Sequence, residues 1–338
     1  MNSRQESLSL VCPRDKQPLT MSIDHELSCS RGHIYTVFRG IPILLISEAD
    51  PTHASCWTSG KRVADEGEWM EDDWEPTPES PVHPAVQAMV SAAGGYLYQG
   101  LVNKLREYPI PDIRLTPSKG GRMLDLGCNW GRWTVSAARK GYRVIGIDPD
   151  LGAVLAARKV ARQLGVSAEF VVGDARYLPF ADGSFDTVFS YSVLQHLSKC
   201  NVELTLREVD RVLDRTGKVV IQMPNKFGLR SLYHQARRFG KSQGIFDVRY
   251  WSPLELKRTF CRCIGPSSLS VDGFFGLGIQ PSDLRLIPWH LRPIIVASEC
   301  LRLSSLAFPP LIAAADSLYV VSEKRGETAP TRASPGAD

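Results

Sequence analysis

Seven residues, "DLGCNWG" from Asp125 to Gly131, set a carboxylate, two glycines and an asparagine in one short turn behind an apolar run. A second acid, Asp148, stands in "VIGIDP" (144–149), and a third, Asp174, in "GDARYLPF" (173–180). Glycine lets a chain turn tightly after a strand and come close to a ligand. A carboxylate at the next strand end can accept hydrogen bonds from both hydroxyls of a ribose. One at the third strand end can accept from the exocyclic amine of adenine, with the Ala175 N–H facing the ring. A dinucleotide site would want G-x-G-x-x-G and a pyrophosphate on a helix N-terminus. Here Trp130 and Trp133 crowd that helix start and Asp125 adds negative charge. A ligand carrying ribose, adenine, an amino acid and a positive sulfur suits all three acids.

These residues need elements to hold them. "RMLDLGC", "RVIGID", "AEFVVGDA", "FDTVFSYSV" and "GKVVIQMP" read as five strands, separated by helical segments at 130–140, 151–165 and 201–213. "SPLELKRTFCRCI" has Ser252 as N-cap, Pro253 at the first helical position and Glu255 three residues after the cap. "SSLSVDGFF" and "DSLYVVSEK" read as a final strand pair around an inserted segment, 276–315. "PAVQAMVSAAGGYLYQGLVNKL" reads as a helix before the first strand. Alternating strand and helix predict an α/β, Rossmann-like, doubly wound sheet of mostly parallel strands. Ligands of such sheets sit beyond the carboxyl strand ends, where strand order switches.

The chain has 338 residues, 43% of them hydrophobic, and a net charge of +4, values ordinary for a globular protein. No stretch reaches about 18 uninterrupted apolar residues; "PIIVASECLRLSSLAFPPLIAAA" carries Glu299, Arg302 and a proline pair, so no membrane span is expected. The polar first residues predict no export signal, and therefore reduced cysteines and a cytoplasmic location. Four zones follow: a small β-rich module at 8–47, an acidic linker at 48–81, an α/β domain at 82–325 and a disordered tail at 326–338. Residues 226–262 are basic, either as solvated surface or as a face for an anionic substrate or membrane.

"LDLGCNWG", "VIGIDP", "GDARYLPFADGSFDTVFSYSVLQHL" and "LREVDRVLDRTGKVVIQMPN" together resemble the successive motifs of class I S-adenosylmethionine-dependent methyltransferases, in the subgroup of the ubiquinone and menaquinone enzymes. The resemblance covers about residues 120–225. It implies a seven-stranded sheet and S-adenosylmethionine as methyl donor. It implies that Asp125, Gly127, Cys128, Asn129 and Gly131 line the methionine end. Asp148 with Pro149 would take the ribose, Asp174 with Ala175 the adenine, and Tyr191 would also contact the donor. Asn129 replaces the family's middle glycine; asparagine tolerates a left-handed backbone better than most residues.

"VCPRD", "LSCSRGH" and "YTVFRGIPILL" resemble the zinc-ribbon module found with several methyltransferases. The resemblance implies structural zinc on Cys12, Asp15, Cys29 and His33, with aspartate where a second cysteine is usual. His25, or His53 with Cys56, are alternatives, as is a ribbon that stands without metal.

Methyl transfer from a sulfonium is an in-line displacement that rests on positioning; a base is needed where the acceptor is a weak acid. His196, after the fourth strand, is the candidate base, and Tyr96, Tyr98, Tyr233 and His234 are weaker candidates for donor or acceptor contact. "SYSV" stands where nitrogen methylators of nucleobases carry an N/D-P-P-Y tetrad, which favours a small-molecule, lipid-linked or glycan-precursor acceptor, with 276–315 as a lid. A ribosomal RNA methyltransferase is the alternative, disfavoured by the acidic linker and near-neutral charge. A non-catalytic scaffold that binds the donor is the third reading.

Overall fold

The computed structural model describes residues 9–22, 26–50, 74–93, 96–237, 248–276, 278 and 280–326. The expected tail, His25, His53, Cys56 and most of the acidic linker lie outside them.

The N-terminal strands form a meander: β1 (Thr20–Met21), β2 (Glu26–Ser28), β3 (Ile34–Phe38) and β4 (Ile41–Leu44), each antiparallel to the next. Arg39 and Gly40, with φ of 49° and 81°, make the two-residue turn between β3 and β4, the left-handed pair that matches strand twist in a tight hairpin. Two short helices follow, α1 (Pro84–Ala93) and α2 (Tyr96–Gln99), where the sequence predicted one.

β5 (Arg122–Leu126), β6 (Arg143–Asp148), β7 (Ala168–Gly173) and β8 (Phe185–Ser190) are largely buried along their length, as parallel strands covered on both faces must be. Between and after them come α3 (Arg132–Arg139), α4 (Leu151–Gln163), α5 (Lys199–Val212), β9 (Leu213–Pro224), α6 (Leu229–Arg237), α7 (Pro253–Cys263) and β10 (Ser267–Gly273). The expected insertion is helical: short 3-10 turns lead into α8 (Arg292–Ala307), and the chain returns through β11 (Ser317–Glu323). Local chemistry starts these helices: Asp150 caps α4, Ser198 caps α5, and Ser252 with Glu255 forms the expected capping box on α7.

Sheet order is β1-β2-β3-β4-β7-β6-β5-β8-β9-β11-β10. The run from β7 to β10 is the predicted doubly wound seven-stranded sheet, parallel except for β11, which lies antiparallel to both β9 and β10. Strand order switches at β5, between β6 and β8, so the crevice for a ligand opens past the end of β5.

One difference from the sequence reading is structural. Residues 8–47 do not stand apart as a module, because β4 pairs in parallel with β7, Ile43 opposite Val172 and Leu44 opposite Gly173. Cys12, Leu27, Cys29 and Tyr35 share one core with Leu178, Phe180 and Val188 of the α/β part. An apolar edge strand needs a cover, and β4 supplies it for β7. No local pattern encodes a partner more than a hundred residues away.

This union makes a testable claim. Leu44 is fully buried at the junction, so Leu44→Ala should cost about 2–5 kcal/mol. Calorimetry should show one melting transition that moves as a whole; two transitions, of which one shifts, would mean that the parts fold separately.

Candidate functional site

The loop after β5 turns on three left-handed residues: Gly127 (φ 78°), Asn129 (φ 47°) and Gly131 (φ 83°). Asn129 adopts the conformation that its position required. A Cβ at Gly127 would meet Val193 Cγ2 at 2.2 Å, and one at Gly131 would press Ala157 Cβ at 3.0 Å. The loop is stitched to the end of β6: the N–H groups of Gly127 and Cys128 both donate to Ile147 O, at 2.8 and 3.0 Å. The Asn129 N–H donates to Asp148 Oδ2 at 3.0 Å, and the Asp150 N–H to Asp148 Oδ1 at 3.0 Å. Asp148, followed by Pro149, is partly exposed beside the loop. Burial pushes its carboxyl up to about 6, against the pull of those two N–H donors.

Asp125 lies under the loop, 1% exposed, with Oδ2 accepting from Thr134 Oγ1 at 2.6 Å. Burial pushes its carboxyl up to about 7, with Thr134 pulling it down and Asp148 adding repulsion. Cys128 is buried between the loop and Gly146, and burial raises its thiol well above the usual range. Asp174, at the end of β7, is held by Arg176: Nε to Oδ1 and Oδ2 at 3.1 Å each, and Nη2 to Oδ2 at 2.7 Å. Arg176 also donates to the Asp50 carbonyl. The adenine-side acid is thereby oriented by a bidentate guanidinium, while Ala175 packs against the main core.

Arg132, directly after Gly131, is a residue that sequence reasoning missed. Its guanidinium sits 5.6 Å from the Tyr98 ring centre and 5.3 Å from that of Trp133. Its Nη2 is 3.9 Å from Asp283 Oδ2, which belongs to the inserted segment. Arg132 Nε, Asp283 Oδ1 and Gln280 Nε2 are buried without a hydrogen-bond partner. Orphaned buried polar atoms are costly and rare, and these stand together beside the glycine loop. Tyr98 is fully buried there.

The other half of the rim is closed by its own bonds. Tyr191, expected against the donor, stacks on Trp133 at 4.6 Å and donates to Asp272 Oδ2 at 2.9 Å. Ser317 Oγ donates to the same oxygen at 2.7 Å, and Gln222 links Ser317 to the Ser192 N–H. Arg114 joins Asp272 to Glu299 of α8. His196 ends a 3-10 turn, its ring Nε2 3.2 Å from Gln195 Nε2 and its carbonyl bonded by Arg249. His234 accepts from Arg230 Nε at 3.0 Å, and Tyr233 is exposed on α6; the side chain of Tyr96 lies outside the described set.

The four expected metal ligands converge. Cys12 Sγ and Cys29 Sγ each lie 3.4 Å from His33 Nδ1, Cys29 Sγ is 3.5 Å from Asp15 Oδ2, and His33 Nδ1 is 3.1 Å from Asp15 Oδ2. All four ligand atoms lie within 4.8 Å of one another. Bonds of about 2.0–2.3 Å from a tetrahedral zinc would span such edges, so the donor set fits that ion.

Comparison with known proteins agrees with this geometry. Residues 124–221 match the family described as "Methyltransferase domain". A ubiquinone biosynthesis O-methyltransferase of Azorhizobium caulinodans is 32% identical over 112 residues, 33% of this chain and 44% of that protein. An uncharacterized methyltransferase of Synechocystis is 31% identical over 135 residues, 40% and 60% of the two chains. A biotin biosynthesis bifunctional protein of Cellvibrio japonicus is 37% identical over 100 residues, 30% and 19%. The chain thus spans less than two thirds of each of these relatives. A solved S-adenosylmethionine-dependent methyltransferase of Methanosarcina mazei overlaps 62% of this chain and 95% of its own, at 19% identity and a TM-score of 0.45. The stretch from 124 to 221, which holds the glycine loop and its three acids, is thus similar to methyltransferase domains.

The raised carboxyls have a consequence for stability. Asp125 and Asp148 keep their protons to higher pH when folded than at the ordinary value of 3.8. Their contribution is full below that value and is lost as pH rises through about 6 to 7. The melting temperature of the unliganded protein should therefore fall across that window. Asp125→Asn, which removes the larger shift, should flatten the fall; an unchanged pH profile would show that folding leaves the Asp125 carboxyl at its ordinary value.

Proposed function

We propose that this chain transfers the methyl group of S-adenosylmethionine to a small apolar, lipid-linked or glycan-precursor acceptor. One observation carries the reading: three acids at adjacent strand ends surround a loop whose left-handed residues leave room for no side chain at Gly127. Asp148 is assigned to the ribose hydroxyls and Asp174 with Ala175 to adenine. The orphaned Arg132 Nε and Asp283 Oδ1 suit the carboxylate and amino group of the methionine end, since a zwitterion would satisfy both signs. A sulfonium beside the loop would favour the ionised form of Asp125, against the burial that raises its carboxyl. The donor supplies the activated methyl; the chain's own residues orient the two reactants and exclude water.

His196 is the base in this reading, required if the acceptor is a hydroxyl or another weak acid. Its ring lies on the turn after β8, the turn whose Val193 abuts Gly127. Zinc on Cys12, Asp15, Cys29 and His33 has a structural role here, since four protein ligands leave it no open position. Among the described residues, no helix is long and apolar enough to cross a membrane.

Calorimetric titration with S-adenosylmethionine tests the donor site. Micromolar affinity is expected, lost in Asp148→Ala; near-normal affinity in that variant would refute the ribose assignment. His196→Ala should keep donor affinity and lower turnover by roughly 10²–10⁴, while equal turnover would remove histidine from the chemistry. Metal analysis of the purified protein should give stoichiometric zinc, absent from Cys29→Ala and retained in Asp148→Ala. Zinc-free wild type that melts normally would leave the ribbon standing on its apolar core.

A further inference from the structure

Helix α8 exposes several apolar side chains and buries two serines, while Leu301 packs on the main core and Ser304 faces out. Its face toward the protein holds Ile295 together with Ser298 and Ser305, and it turns its two ionic residues beyond the first turn, Glu299 and Arg302, toward Arg114. Ser298 Oγ accepts from the Phe274 N–H at 3.0 Å. The opposite face presents Val296 (49% exposed), Leu303 (50%) and Leu306 (69%) to the surroundings, flanked by Trp289 (78%) and Phe308 (58%). An ordinary surface helix turns its apolar stripe toward the core, and a patch of this kind marks a surface that something covers.

Further apolar side chains are exposed on α6. Asn225 Nδ2 donates to the carbonyls of Ala313 and Ala315, and the Ser231 N–H donates to Asp316 Oδ1 at 2.9 Å. These bonds tie the start of α6 to the segment that follows α8, where Leu229 (57%) and Leu232 (49%) are also exposed. The charges on it are mainly basic: Lys226, Arg237 and Arg292 are exposed, while Arg285 is paired with Glu107 at 2.6 Å; among the described residues of 226–237 and 284–313 no exposed residue is acidic.

We propose that the outer face of α8 and α6 docks on an anionic lipid bilayer, lying in the interface without crossing it. Apolar side chains with a tryptophan at one end, rimmed by lysine and arginine, are what a helix at the headgroup boundary needs. A second copy of the chain fits less well. An isologous dimer through this face would bring Lys226, Arg237 and Arg292 of two copies together, and Glu107 at the rim is already paired with Arg285. The inner side of the same insertion packs through Ile287 and Ile295 into the cluster of Tyr98 and Trp130 at the glycine loop. Docking would therefore bring the site to the bilayer, so that an acceptor dissolved in lipid is reached without passing through water. That last step rests on the methyltransferase reading; the docking itself does not.

Co-sedimentation of the full chain with vesicles of equal parts phosphatidylglycerol and phosphatidylcholine tests it. The wild type should sediment with these vesicles, more weakly at high salt and weakly with phosphatidylcholine alone. Leu303→Glu/Leu306→Glu, at two exposed positions, should reduce the bound fraction at least about tenfold with donor affinity unchanged by calorimetry. Absence of sedimentation, or equal sedimentation of the variant, would overturn the proposal. So would a wild-type dimer in gel filtration that ignores vesicles and is split by the same substitutions. Vesicle binding without donor binding would instead overturn the proposed function and leave the docking intact.

Discussion

Three N–H groups of one loop, donated to the end of the neighbouring strand, hold the site together. Gly127 and Cys128 share the Ile147 carbonyl, and Asn129 takes Asp148. The geometry demands left-handed backbone at alternate positions, which two glycines and an asparagine supply. Because the second acid accepts from the loop itself, loop and ribose-side carboxylate form one unit. Their proximity has a cost, visible as two carboxyls pushed above their ordinary range by burial. Perturbed acids of this kind gather where a ligand of opposite sign is expected, and a cationic donor would offset the cost.

The N-terminal ribbon bears on the same rim from the other side. By pairing with β7, β4 covers the edge of the strand that ends at Asp174. Lys16, on the knuckle between Cys12 and Cys29, reaches Glu208 Oε2 at 2.7 Å and the Leu178 carbonyl at 3.3 Å. Arg176 grips Asp174 while donating to Asp50, just past the ribbon. The Cys12–Asp15–Cys29–His33 cluster and Asp174 are thus linked through the loop of residues 174–180, which Lys16 and Arg176 bond at its two ends.

Much of this was legible in the sequence, for local reasons. Apolar runs bounded by turn residues gave the strands, and capping residues gave the start of α7. The acids were visible because each falls where an apolar run stops. What escaped notice depends on distant partners. Nothing near Ile43 says that it will lie opposite Val172. Thr134 looked like an ordinary helical residue, yet its hydroxyl bonds Asp125. Arg176, two residues past Asp174, needed only a bidentate reading of D-A-R, and the sequence alone offered no way to know that the side chain folds back. Composition marked 276–315 as apolar, but periodicity cannot say that α8 will turn Ser298 and Ser305 inward and Leu303 and Leu306 out; Phe274 receives Ser298 and Arg114 receives Glu299.

Those inward contacts also hold the insertion to the sheet. Arg114 bonds Asp272 on β10 and Glu299 on α8, and Arg302 closes on Glu299. Separating a partly buried ionic network strands its charges, at about 3–5 kcal/mol where the pair is well buried. At about a quarter exposure for Arg114 and Glu299 the cost is smaller, though still well above that of parting apolar side chains one at a time. The segment ahead of α8 is held by Leu284, Leu286 and Ile287 against the Tyr98 and Trp130 cluster, and by Asp283, whose Oδ2 lies 3.9 Å from Arg132 Nη2. Its approach runs through Phe275, Gly276 and Gly278, all left-handed with φ of 65°, 56° and 60°. Phe275 holds that conformation against its own preference, and strain of this kind persists only where the surroundings impose it. The ionic anchor on Arg114 therefore fixes α8 to the sheet as part of the frame, and the more deeply buried Arg132–Asp283 pair ties the residues before it to the glycine loop.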